Sequence, residues 1–158
     1  MAGLLVLGVG NVLMGDEGIG VHAVKEMEKQ GLSCGAELVD GGTGGLHLLS
    51  YFEDYDPIVM IDATMDGRPA GTVSLIRPRF ASDFPRALSA HDIGLRDLVE
   101  AAILLGSLPQ IHLVTISVDS IQPMTMELSP PVRESIPEVI RLTRRIIAAE
   151  TDKRLCPC

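Results

Sequence analysis

The sequence predicts an α/β domain, a mainly parallel five-stranded sheet covered by helices on both faces. Two observations carry this. Apolar runs of strand length alternate with amphipathic helical patterns along the whole chain. The stretch between the third and fourth runs, around Asp66-Gly67-Arg68-Pro69, is too short for a crossover helix, so those two strands run antiparallel in an otherwise parallel sheet.

The first strand covers about Leu4 to Val9, and a helix follows from about Ile19 to Gln30, with Gly31 placed to stop it. The second strand, about Ala36 to Val39, ends in Asp40-Gly41-Gly42-Thr43-Gly44-Gly45 and gives way to a short helix reaching about Phe52. Pro57 to Asp62 is the third strand and Gly71 to Ile76 the fourth. A helix from about Ile93 to Leu105, closed by Gly106, leads into a fifth strand, Ile111 to Val118. The last helix begins near Ser135, where Ser135-Ile136-Pro137-Glu138 has capping-box spacing and a proline in the first turn. Ile136, Val139, Ile140, Thr143, Ile146 and Ile147 then fall on its buried face.

A length of 158 residues and a hydrophobic fraction of 46% suit one domain, placed at residues 1–150, with 151–158 as a flexible C-terminal tail. The net charge of -8 argues against nucleic acid as a partner, because no basic stripe is present to displace counterions. With no Trp, two Tyr and three Phe, base-stacking platforms are also disfavoured. The apolar N-terminus lacks a basic leader and soon meets glycines and acids, so it reads as a buried strand, not a signal peptide. No run reaches membrane-spanning length, and three cysteines do not make a disulfide framework. These features point to the cytoplasm.

The first strand runs into Gly8-Val9-Gly10-Asn11 and then Gly15-Asp16-Glu17-Gly18. A dinucleotide fingerprint needs a third glycine where Leu13 stands, and Asp16 and Glu17 would repel a phosphate. No nucleotide cofactor is therefore expected. Carboxylates here suit a metal ion, a proton transfer or a cationic partner, or they simply favour the N-terminus of the next helix. Ligands of open α/β sheets bind beyond the carboxyl ends of the parallel strands. Glu17, Asp40 and Asp62 all follow such ends, and His91 precedes a helix whose N-terminus lies at the same rim. Two or three carboxylates with one imidazole fit a divalent transition metal or an acid/base pair.

The remaining polar candidates read as structural. His22 shares a helix face with Lys25, Glu26 and Lys29, and His47 with Ser50 and Asp54, so both are expected in solvent. His112 and Cys34 lie at the edge away from the rim, and Cys156-Pro-Cys158 belongs to the tail. No Gly-x-Ser-x-Gly nucleophile elbow is present. The segment after the fifth strand, Asp119 to Pro131, brings Gln122-Pro123-Met124-Thr125-Met126 to the rim, where the methionines either hold an extended peptide or pack beneath the loop.

Four motifs in order, Gly8 through Gly20, Asp40-Gly41-Gly42-Thr43, Ile61-Asp62-Ala63 and Ser89-Ala90-His91, resemble those of the nickel-iron hydrogenase maturation endopeptidases. The resemblance covers nearly the whole domain and implies a three-layer α/β/α sandwich with one antiparallel strand. It implies an endopeptidase, of the aspartic type, that removes the C-terminal extension of a hydrogenase large-subunit precursor after nickel insertion. Glu17, Asp62 and His91 match the family's metal-binding and catalytic positions, with Asp40 and Asn11 as supporting neighbours. On this resemblance the nickel arrives with the precursor. Two other readings stay open: a non-catalytic nickel-sensing chaperone of the precursor, and a small-molecule hydrolase on the same sheet.

Overall fold

A computed structural model of the chain describes residues 3–86 and 94–155. Five strands, β1 (Gly3–Gly8), β2 (Glu37–Asp40), β3 (Tyr55–Thr64), β4 (Val73–Ile76) and β5 (Ile111–Ser117), form one sheet in the order β2-β1-β3-β5-β4. All neighbours are parallel except β4 and β5. The strand expected to run backwards does so, but it pairs with β5, which lies between it and β3. Sequence neighbours are easily mistaken for sheet neighbours when a later strand inserts between them.

Alternation along the strands splits the core into two layers. Val6, Val59, Ile61, Val114 and Ile116 face α1 (Ile19–Gln30), the short α4 (Pro130–Glu134) and α5 (Ile136–Leu155). Leu5, Leu7, Ile58, Met60 and Leu113 face α2 (Leu49–Asp54) and α3 (Leu95–Leu105). This is the expected three-layer α/β/α sandwich. Gly31 and Gly106 close α1 and α3 in the left-handed conformation, with φ of 68° and 70°.

The C-terminal region differs in detail from expectation. Ser135 does not form a capping box: its hydroxyl donates back to the Val132 carbonyl at 2.5 Å, because α4 precedes it and its own backbone is helical. The expected buried face of α5 is present, with Val139, Ile140, Thr143, Ile146 and Ile147 inside and Ile136 packed at the margin. The helix continues to Leu155, beyond the point where the tail was placed, and Cys156 and Cys158 lie outside the described residues.

The tightest packing joins the start of α1 to the strand ends. A Cβ on Gly20 would stand 2.1 Å from the Ile61 carbonyl oxygen and 2.6 Å from that of Val9, and one on Gly8 would stand 2.3 Å from the Gly20 carbonyl oxygen. Only hydrogen fits where two backbones approach this closely. The helix therefore rests directly on β1 and β3.

At the opposite edge, His112 and Glu150 are both buried, with Nε2 and Oε1 2.9 Å apart. The ionised carboxylate only accepts, so Nε2 carries the proton. Lys153 adds a 3.1 Å contact to the same oxygen. Burial alone would raise the Glu150 carboxyl, but the hydrogen bonds from Lys153 and His112, with their charges, bring it below its ordinary value. His112 is structural, as expected.

Two outcomes follow from this packing. Gly20→Ala should cost at least about 3 kcal/mol in chemical denaturation, since backbone must move, whereas Gly31→Ala, with open space around it, should cost only about 1 kcal/mol. Equal costs would mean that the close approach carries no energy. Glu150→Gln should cost about 2 kcal/mol at pH 7. Because the folded-state carboxyl is depressed, this difference should persist above the ordinary value of 4.5 and vanish as pH falls through the lower folded value, as read from unfolding curves of both proteins.

Candidate active site

Chain order reverses between β1 and β3: from β1 the chain steps outward to β2, then crosses back to β3 on the other side. Such a switch point leaves a crevice at the carboxyl ends of the strands. Glu17 sits in a 3-10 turn, Gly15–Gly18, that leads directly into α1 and packs against β3. Asp62 lies near the end of β3, and its Oδ1 accepts the Ala63 amide at 2.8 Å. Both residues thus belong to segments at the carboxyl-end rim of the sheet. Glu17 is buried and Asp62 half-buried.

Strand ends are laced together here by main-chain bonds. The Val9 amide donates to the Ile61 carbonyl at 2.9 Å, and those of Gly41 and Gly10 donate to Gly8 and Gly42 at 2.7 Å. A Cβ on Gly10 would lie 2.1 Å from the Glu17 carbonyl oxygen, so this glycine lets the turn fold back onto the end of β1. Asn11 holds its own loop, its Oδ1 accepting the Leu13 amide at 3.0 Å.

Asp40 stands apart from this pair. It is exposed at the end of the edge strand β2, where Oδ1 accepts the Gly42 amide at 2.8 Å and Oδ2 lies 3.6 Å from Lys25 Nζ. Its partners among the described residues are local. His91 lies outside the described residues. Within those residues, no three His, Cys, Asp or Glu side chains gather into a metal-binding group, so the described structure contributes Glu17 and Asp62 of the expected set.

Asp16, next to Glu17, has a different task. It is only 2% exposed and saturated with donors: the Ser129 amide and hydroxyl each bond it at 2.7 Å, and Gln122 Nε2 approaches at 3.3 Å. Its own amide donates to Gln122 Oε1 at 2.8 Å. Met14 and Thr125 form a parallel bridge, with Thr125 bonding both Leu13 and Gly15. These contacts clamp the segment after β5 onto the acidic turn. Its methionines do not pack beneath the loop: Met124 is 94% and Met126 58% exposed, beside Leu13 at 57%. From the sequence Asp16 reads as a metal, proton-transfer or helix-end acid and not as a clamp, because its partners lie 106 and 113 residues away.

His22 also departs from expectation. It is half-buried, not solvated, and its Nε2 is sealed without a hydrogen-bond partner. Burial, then the charge of Lys25, lowers its pKa, so the ring is neutral near pH 7. His47 is exposed, as expected, and so is Cys34.

Removing the Asp16 carboxylate strands the Ser129 amide and hydroxyl. Asp16→Ala should therefore cost about 2–4 kcal/mol and speed hydrogen exchange selectively in residues 120–129. Unchanged exchange there would show that the clamp does not hold the loop.

Comparison with known proteins places the chain in a family. The hydrogenase maturation protease family model matches residues 21–146. Hydrogenase expression/formation protein HupD of Bradyrhizobium diazoefficiens is 38% identical over 155 residues, covering 92% of this chain and 78% of HupD. The hydrogenase 2 maturation protease of Escherichia coli is 35% identical over 137 residues, covering 84% and 83% of the two chains. Among solved structures, the E. coli hydrogenase maturating endopeptidase HybD superposes with a TM-score of 0.79 at 30% identity, over 97% of this chain and 94% of HybD. The family match spans most of the domain and the fold is shared, so the chain belongs to the hydrogenase maturation proteases.

Proposed function

We propose that this protein is an endopeptidase that removes the C-terminal extension of a nickel-iron hydrogenase large-subunit precursor, and that it acts once nickel has been inserted. The observation that carries the reading is the pair Glu17 and Asp62 at the switch point, on a chain of this family. Oxygen donors at the rim of a rigid sheet suit a divalent ion. In this reading Glu17, Asp62 and His91 take hold of the nickel that the precursor carries, and the recognised metal belongs to the substrate. Bound nickel would act as a Lewis acid on the scissile carbonyl.

The protein's own residues do the positioning. The backbone seat of α1 fixes Glu17 against β3, and the Asp16 clamp holds the exposed Leu13, Met124 and Met126 beside it. Methionines adapt to varied apolar side chains, which suits an extended peptide laid along this lip. Water adds to the carbonyl carbon, a rim carboxylate accepts its proton, and the proton passes to the amine as the C–N bond breaks. Asp40 and Asn11 support the loops around this centre. The absence of a nucleophile elbow in the sequence agrees with direct attack by water. No helix of the described residues is long and apolar enough to cross a membrane.

The test is incubation of the protein with nickel-loaded and nickel-free precursor, read by intact mass. One defined C-terminal peptide should leave the nickel-loaded form alone. Glu17→Gln, Asp62→Asn and His91→Ala should each slow this at least about 100-fold, corresponding to about 3 kcal/mol of transition-state stabilisation, with thermal midpoints little changed. Normal cleavage by these variants would overturn the assignment. Binding of nickel-loaded precursor without cleavage would favour the nickel-sensing chaperone.

A further inference from the structure

On the face of the molecule formed by α1 and α5 lies an open groove of about 1170 Å³. Its floor is apolar, supplied by Leu32, Leu128, Ile136, Ile140 and Ala148. Its wall is basic. Arg133, Arg141, Arg144 and Arg145 line it, four of the chain's 13 Lys and Arg residues, against two of its 21 acids, Glu26 and Glu127. On a chain of net charge -8 this is a concentration of the minority sign. Arg141 pairs with Glu138, whereas Arg133, Arg144 and Arg145 have no ion pair among the described residues.

The shape fits a segment of chain. Lining residues run from Ile136 to Ala148 on α5, about 18 Å at 1.5 Å per residue, which accommodates about five or six residues of extended peptide. The volume exceeds the roughly 300–1,000 Å³ of small-molecule pockets, and the guanidinium groups are strung along a helix where a compact anion would need them converging. Arg141, Arg144 and Arg145 recur at helical spacing, so they present one edge. The groove also adjoins the segment that is clamped to the acidic turn. Glu127 and Leu128 line it, and the next residue, Ser129, bonds Asp16 beside Glu17.

We propose that this groove docks an extended segment of the hydrogenase precursor that combines acidic with apolar side chains, apart from the peptide at the scissile bond. The inference rests on the precursor being the substrate, as argued above. Arginine forks hold the acidic side chains along the edge while apolar ones cover the floor. The docking anchors the precursor so that its metal meets the rim, and it supplies binding energy away from the reacting bond.

The test uses the full chain and the nickel-loaded precursor. Both arginines are exposed, so Arg144→Glu/Arg145→Glu should fold normally, with Arg144→Gln/Arg145→Gln as the milder pair if it does not. The expected result is a rise in KM of about tenfold with kcat little changed, and a KM that no longer climbs with salt as that of the parent does. A photo-crosslinker in place of Ala148 should label an acidic and apolar precursor segment. Unchanged KM and salt dependence in an otherwise cleaving protein would overturn the groove and leave the peptidase standing. If the parent binds precursor without cleaving it, the dissociation constant decides: about tenfold weakening supports the groove although the peptidase reading fails, and no weakening overturns it. A parent that neither binds nor cleaves overturns both. Labelling confined to a neutral or basic segment overturns the proposed occupant.

Discussion

The architecture depends on a contact in which no side chain takes part. Gly20 brings the first turn of α1 against the Ile61 and Val9 carbonyls, and Gly8 leaves room for the Gly20 carbonyl. A larger residue at either place would push the helix outward. Because Glu17 precedes this turn and Asp62 follows Ile61, the same backbone contact sets the distance between a loop acid and a strand acid. Main-chain approach makes the two backbone positions a property of the fold, and the side-chain rotamers then set where the carboxylates point.

Two adjacent acids then divide the work. A buried carboxylate needs donors, and Asp16 obtains them from Ser129 and Gln122, across the segment after β5. That makes it a clamp. Glu17, one residue on, lies on the turn that packs against β3, and the proposed function assigns it to the metal of the precursor. Reversal of the chain's course between β1 and β3 opens a crevice, and the clamp furnishes it with an exposed lip of Leu13, Met124 and Met126. Exposing large apolar groups beside a buried acid is costly for a free protein. Under the proposed function this surface would be covered by the peptide of the precursor.

What the sequence made legible was whatever is encoded locally. The α1 boundaries, the Gly31 and Gly106 stops and the buried face of α5 each follow from residues within a few positions of one another. The positions of Glu17 and Asp62 were legible too, since strand ends in a parallel sheet share one rim. Illegible features were those decided by distant partners. Insertion of β5 between β3 and β4 depends on pairing across the whole sheet. The clamp on Asp16 and the His112–Glu150 pair join residues far apart in the chain, and half-buried His22 lines a groove with residues of α5. Ser135 misled for a related reason: its motif spacing was correct, but α4 had already begun the helix, so no amide needed the cap.

Charge is distributed unevenly between the rim and the α1–α5 groove. A protein of net charge -8 repels an acidic partner at long range, yet beyond about 8 Å at physiological ionic strength that repulsion is largely screened. Encounter is then governed by whichever patch comes within a Debye length. Along the α1–α5 groove that patch is basic, whereas at the rim it is acidic, with Asp16, Glu17, Asp40 and Asp62. An acidic chain segment would be drawn to the groove and kept from the rim, while a cation would be drawn to the rim and kept from the groove. Under the proposed function, a substrate that carries both a metal centre and an acidic segment at the right separation is the species for which the two fields act together. Neither field alone would distinguish a loaded precursor from a free ion or an unrelated acidic protein, so selectivity of that kind would reside in the separation between groove and rim.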